Sequence, residues 1–160
     1  MFFSQENAII PMCSVGTLVS SHPTFESFHM KGYDHATMIF MFDTTMTASA
    51  TLNVQCGSSD AASTANNATI HYRQSAGTIK AASADIFGAI ASSSVLGIAT
   101  ANAAGKCLVI ELDAEDLPTA SKTYEWVTAS LSGGASGQVA AIAILSKYRY
   151  ADNVMNTAIA

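Results

Sequence analysis

Ala50, Leu52, Val54 and Cys56 alternate with Thr51, Asn53 and Gln55, so this segment is apolar and polar at a period of two. Only an extended strand sends successive residues to opposite faces, and a strand with one apolar face needs a second layer to cover it. Strand-like runs recur at Ala36 to Phe42, Ala68 to Arg73, Cys107 to Leu112, Tyr124 to Ala129 and Val139 to Leu145. Turn-forming clusters separate them: Gly57 to Asn67, Asp113 to Pro118, and Ser132 to Gly137. Strands at this spacing, without convincing amphipathic helices between them, predict an all-β chain. The expected architecture is an antiparallel β-sandwich or jelly-roll-like barrel.

Three local expectations follow. The run Ala36 to Phe42, bounded by Asp34 and Asp43, reads as a strand buried on both faces. The strands at 50–56 and 68–73 read as a hairpin with a long loop. Residues 79–104 favour short strands and loops, with a helical turn near Asp85-Ile86-Phe87 as the alternative, because Ser92-Ser93-Ser94 and Gly97 break a helix.

The β-domain is placed at residues 35–150, with an extended N-terminal arm at 1–34 and a C-terminal tail at 151–160. In the first segment Pro11, Pro23 and Gly32 oppose one continuous helix or a central strand. Its apolar residues, among them Phe2, Phe3, Ile9, Ile10, Phe25 and Phe28, are expected to find cover on a partner.

Charge narrows the function. Of 160 residues, 7 are Lys or Arg and 12 are Asp or Glu, a charged share of 12%, about half the usual level of roughly 25%. A surface so poor in charge suits a protein held in an assembly, since charge is what keeps free monomers apart. The basic residues Lys31, Arg73, Lys80, Lys106, Lys122, Lys147 and Arg149 are scattered and the net charge is −5, which argues against direct contact with nucleic acid. No run approaches the roughly 18 apolar residues of a spanning helix, and no export signal precedes Pro11. Cys13, Cys56 and Cys107 are odd in number and far apart, as for reduced thiols in a protein folded in the cytoplasm.

Candidate chemical sites are weak. His22, His29 and His35, with Asp34 and Cys13, fit no common zinc spacing. The acidic turn Glu111, Asp113, Glu115 and Asp116 lacks the glycine and terminal glutamate of a helix-loop-helix calcium loop, and a solvated turn is favoured. No serine lies in Gly-x-Ser-x-Gly. Gly133 to Gly137 has no following Lys-Ser or Lys-Thr, so a tight hairpin connection is favoured over a phosphate loop. Asn67-Ala68-Thr69 matches the glycosylation pattern, which without an export signal reads as chance. No catalytic, cofactor or metal residue is predicted. Tyr124 with Trp126, and Tyr148 with Tyr150, share strand faces and suit a core or subunit interface better than a sugar-binding platform.

Val109-Ile110-Glu111-Leu112-Asp113-Ala114-Glu115-Asp116-Leu117-Pro118 and Ile144-Leu145-Ser146-Lys147-Tyr148-Arg149-Tyr150-Ala151 resemble small tailed-phage virion proteins. In these a hydrophobic strand ends in an acidic turn, and an aromatic strand, a Gly/Ser turn and a closing strand ending in Arg-Tyr follow. The resemblance spans roughly residues 35–151. It implies a capsid decoration or cement protein on the virion surface, with the major capsid protein and further copies of itself, as a dimer or trimer, for partners. Alternatives are a tail-tube or head-tail connector component and a carbohydrate-binding β-sandwich module. An enzyme has least support. The residues expected at interfaces are Phe2, Phe3, Ile9, Ile10, Trp126, Tyr148 and Tyr150.

Overall fold

The computed structural model describes residues 3, 7–60, 66–99, 104–118, 125–133 and 136–148. Twelve strands follow in chain order: β1 (Ala8–Pro11), β2 (Thr17–Leu18), β3 (Phe28–His29), β4 (Tyr33–Phe42), β5 (Ala50–Gly57), β6 (Asn66–Asn67), β7 (Ile70–Gln74), β8 (Ala91–Ser93), β9 (Leu96–Ile98), β10 (Cys107–Asp113), β11 (Trp126–Ser132) and β12 (Gln138–Tyr148). Short 3-10 turns occupy Val19–Ser21 and Ala114–Asp116. One sheet has seven strands in the order β1-β12-β4-β10-β7-β8, with β2 also on β12. The other has five, in the order β3-β11-β5-β6, with β9 also on β5. Every described pairing between named strands is antiparallel. Both sheets are open, so the fold is a sandwich and not a closed barrel.

The period of two decides what is buried. On β5 the side chains of Ala50, Leu52, Val54 and Cys56 point inward, and β11 supplies Val127, Ala129 and Leu131 beside them. Opposite lie Met38, Phe40 and Phe42 of β4, Leu108, Ile110 and Leu112 of β10, and Val139, Ala141, Ala143 and Leu145 of β12. The small residues of β12 leave room for the large rings and thioethers facing them, which is how a core reaches dense packing without strain. Phe25 and Phe40 meet edge to face with centroids 5.2 Å apart, a preferred aromatic geometry.

Three expectations are corrected. Residues 8–33 are part of the fold and not an arm, because Ile10, Met12, Val19, Phe25, Phe28, Met30 and Tyr33 all lie in the core. Pro11 is accommodated at the end of a strand on the sheet edge, where a missing N–H costs no central ladder bond. The strands at 50–57 and 70–74 are not a hairpin: β5 belongs to the five-stranded sheet and β7 to the seven-stranded one. Likewise β11 belongs to one sheet and β12 to the other, so the two are not joined as a hairpin. Residues 79–99 hold turns and the short strands β8 and β9, as favoured, without the helical turn. The tail at 151–160 lies outside the described residues.

The approach to β12 depends on glycine at 137. Gly137 has φ of 109°, and a Cβ there would stand 2.8 Å from Asp43 Oδ1 and 3.1 Å from the backbone of Met46. Gly137→Ala should therefore destabilise the fold by more than about 1 kcal/mol in urea titration, through both the positive φ and the contact with backbone.

Cys56 gives a second expectation. Burial pushes its thiol from the ordinary 9.0 up to about 12. Between these values the unfolded chain loses a proton that the folded chain keeps, so the stability held at this site is intact below pH 9.0 and declines as pH rises toward about 12. The urea midpoint should thus fall more steeply above pH 9.0 for the wild type than for Cys56→Ala.

Candidate functional site

The two outer faces of the sandwich differ in chemistry. On the five-stranded sheet the outward residues of β5, namely Thr51, Asn53 and Gln55, stand across from Ser132, Ser130 and Thr128 of β11. This face is one of hydroxyls and amides, groups that water satisfies, and Ser27 adds a hydroxyl 2.7 Å from that of Thr128.

The outward face of the seven-stranded sheet is aliphatic. Its central row runs Pro11, Ile142, Ile39 and Val109 across β1, β12, β4 and β10. One row has Ile9 beside Ile144, and the row on the other side has Ala140, Met41 and Cys107. Ile39, Val109, Ile142 and Ile144 are half-buried, while Ile9 is 50% and Met41 38% exposed. Nine neighbouring apolar positions, with no charged residue among them, form a continuous block. Soluble monomers seldom present such a patch to water.

Charge gathers along the β10–β7 side of the same face and at its His35 end. His35 Nδ1 lies 2.7 Å from Asp113 Oδ1, and its Nε2 lies 3.2 Å from Thr37 Oγ1. Glu111 pairs in register with both Thr37 and His71. His71 stands 2.8 Å from the Ser92 hydroxyl and 3.9 Å from Asp116, and Arg73 is opposite Val109. These groups lie to one side of Ile39 and Ile142, leaving the middle of the face neutral.

The predicted site residues separate. Ile9 belongs to the aliphatic face, whereas its neighbour Ile10 is 2% exposed and is a core residue, correcting the expectation of an interface there. Strand parity decides this, since adjacent residues cannot share a face. Phe3 is 58% exposed. Trp126 is half-buried on the outer side of β11, its ring 4.8 Å from that of His29, while Val127 takes the core position. Tyr148 pairs with Tyr33 at the end of β12. Phe2, Tyr124 and Tyr150 lie outside the described residues. Ile39, Met41, Val109, Ile142 and Ile144 were not predicted at an interface. Their signal was the lack of alternation in Ala36–Phe42 and Val139–Leu145, which reads equally as burial on both faces.

The histidines do not gather. His22 Nε2 lies 2.8 Å from the Gly133 carbonyl, His29 pairs with Glu125 at 3.1 Å, and His35 pairs with Asp113. Among the described residues no three His, Cys, Asp or Glu side chains are placed to hold a metal ion. Cys13, Cys56 and Cys107 are free thiols, and burial also raises the pKa of Cys107. An opening of about 90 Å³ between the sheets, lined by Phe42, Tyr72, Gln74, Leu96 and Leu108, is well below the roughly 300 Å³ at which small-molecule pockets begin. Among the described residues no helix is long and apolar enough to cross a membrane.

These observations define a two-sheet antiparallel sandwich with one aliphatic outer face. No protein-family model and no curated protein sequence matches the chain. Among solved structures it is similar to the SPBc2 prophage-derived protein YomS, at 10% identity and a TM-score of 0.49, covering 88% of this chain and 92% of that one. Weaker likenesses are to infectious bursal disease virus, Gt strain, at 11% identity and a TM-score of 0.22, and to its VP2 subviral particle, at 11% and 0.19. There the alignment takes in 42% and 44% of the viral chains and 94% and 96% of this one.

Because Trp126 lies on the outer side of its strand and Phe40 is wholly enclosed, the two should respond differently to truncation. Phe40→Ala should cost about 3–5 kcal/mol, the usual range for an enclosed aromatic ring, and Trp126→Ala clearly less. Paired chemical denaturation curves test this ordering.

Proposed function

We propose that this chain is a structural subunit of a tailed-phage virion that attaches to the head shell as a decoration or cement protein and works through subunit contacts. The aliphatic outer face of the seven-stranded sheet carries this reading. Burial of apolar surface returns about 25 cal/mol per Å², so a face of several hundred Å² supplies a driving force of order 10 kcal/mol before the costs of association are met. A chain with so few charges has little else to bind with over a broad area. The resemblance at residues 109–118 and 144–151 directs the reading to phage heads in particular.

The function needs no chemistry from the protein, only a rigid sandwich that offers one greasy and one wet side. The polar residues Thr51, Asn53, Gln55, Thr128 and Ser130 suit the side that faces solvent on an assembled particle.

The test is co-sedimentation with head shells purified without this protein. Wild-type chain should pellet with the shells to a fixed stoichiometry. Ile39→Glu combined with Ile142→Glu should lower occupancy at least about tenfold, since a buried unpaired charge costs well over 1.4 kcal/mol. Thr51→Lys with Thr128→Lys, on the polar face, should leave it unchanged. Wild-type protein that stays in the supernatant would rule the function out.

A further inference from the structure

We infer that Thr37 is an acyl-acceptor site: its hydroxyl, activated by His35 and Asp113, takes the acyl group of a neutral activated ester or thioester. The site goes beyond the contact role proposed above and does not rest on it.

Strand geometry assembles the three groups. His35 and Thr37 are two residues apart on β4, so both side chains leave on the outer face, and Asp113 of β10 stands opposite His35 in register. Asp113 Oδ1 lies 2.7 Å from His35 Nδ1, and Thr37 Oγ1 lies 3.2 Å from His35 Nε2. A carboxylate only accepts hydrogen bonds, so the ring proton sits on Nδ1. Nε2 then holds a lone pair, and the Thr37 hydroxyl donates to it. A hydroxyl on an imidazole base that a third group orients is the arrangement of an activated nucleophile. The His35 side chain is only 16% exposed, so packing helps to hold the ring in place.

A second hydroxyl and imidazole meet nearby without this order. Ser92 Oγ is 2.8 Å from His71 Nδ1, but Asp116 stands 3.9 Å from His71 Nε2, beyond hydrogen-bond reach. Asp116 does not fix that ring's tautomer, and Ser92 serves as a comparison within the same molecule.

The neighbours of Thr37 narrow the donor. Ile144 stands opposite it on one side and Glu111 on the other. The Glu111 carboxylate opposes anionic donors and favours the imidazolium that forms at His35, while Ile144 offers an apolar neighbour to a small acyl group. Thr37 Oγ1 attacks the carbonyl carbon, and its proton passes to His35 Nε2. The bond to the leaving oxygen or sulfur breaks with its electron pair, and the imidazolium returns its proton to that group or to water. The products are an ester on Thr37 and a free alcohol or thiol. Because Thr37 borders Ile144 on the face assigned to the shell, the reaction belongs to the unattached chain.

Treating the full chain with p-nitrophenyl acetate tests the inference. Acid-quenched protein should carry an acetyl ester on Thr37 in preference to Ser92, read by peptide mass spectrometry. General-base help contributes on the order of 10²–10⁴, so Thr37→Val and His35→Gln should each lower p-nitrophenolate release at least about tenfold. Asp113→Asn should lower it similarly. It should also move the ring proton from Nδ1 to Nε2 in the nitrogen NMR spectrum of the imidazole, because an amide can donate to Nδ1. His71→Gln should change neither rate nor site. Release undiminished in Thr37→Val, with acetyl found on His35, makes the imidazole the nucleophile and overturns the inference. So does acetyl spread evenly over Ser92 and other hydroxyls, or an ester on Thr37 that forms as fast in His35→Gln. A wild type that forms no ester also overturns it, and that measurement stands even where a variant fails to fold.

Discussion

The antiparallel ladder between β4 and β12 is the constraint on which the rest of the structure depends. It runs from Tyr33 opposite Tyr148 to Phe42 opposite Val139 and joins segments about a hundred residues apart. Both strands are internal to the seven-stranded sheet. β12 carries β1 and β2 on its far side, and β4 carries β10, which in turn holds β7. The inward side of the ladder sets Met38 and Phe40 next to the small residues Ala143 and Ala141, so rings and thioethers fill the space that alanine leaves. Its outward side sets Ile39 against Ile142 and Thr37 against Ile144. One ladder thus builds part of the core and the centre of the aliphatic face. Contacts so distant in sequence must form against a large loop-closure entropy, which places this sandwich among the slower-folding topologies.

Much of the fold was legible because β5 obeys a strict alternation and because turn residues bracket each later strand. Less was legible in β4 and β12. In Ala36–Phe42 and Val139–Leu145 every residue but Thr37 is apolar, and the run reads as burial on both sides. Instead Phe40 and Ala141 face the core while Ile39 and Ile142 face outward. An antiparallel sheet ordinarily alternates apolar and polar residues, and the departure from that rule is the site itself. The first segment misled for a related reason: Pro11, Pro23 and Gly32 fragment it into strands too short for a periodic signal, although Phe25 and Phe28 fill the core. Sheet membership was not legible at all for β5 and β7, since neighbours in sequence that switch sheets carry the same local pattern as a hairpin.

Of the expected interface residues that the structure describes, Ile9 lies on the aliphatic face, and Ile10 goes to the core by parity. Rings dominate interface energetics in general, which is why Trp126, Tyr148 and Tyr150 stand out in the sequence. This sandwich builds the middle of its aliphatic face from β-branched residues, which lie flat on a pleated surface and lose little side-chain freedom when covered. Trp126, set beside His29 on the polar sheet, serves local packing at the start of β11.

The two-sidedness of the sandwich also governs how far association proceeds. A body sticky on both sides would stack without end, and one with long bare edges would grow sideways into ribbons. Here Thr51, Asn53 and Ser130 make the second side wet. The sheet edges are short as well: β1 has four residues and ends in Pro11, and β8 has three. Such edges offer few unpaired backbone groups to a stranger. On the function proposed above, growth would stop once the single aliphatic side is covered, and a surplus of the protein would yield more finished units rather than larger ones.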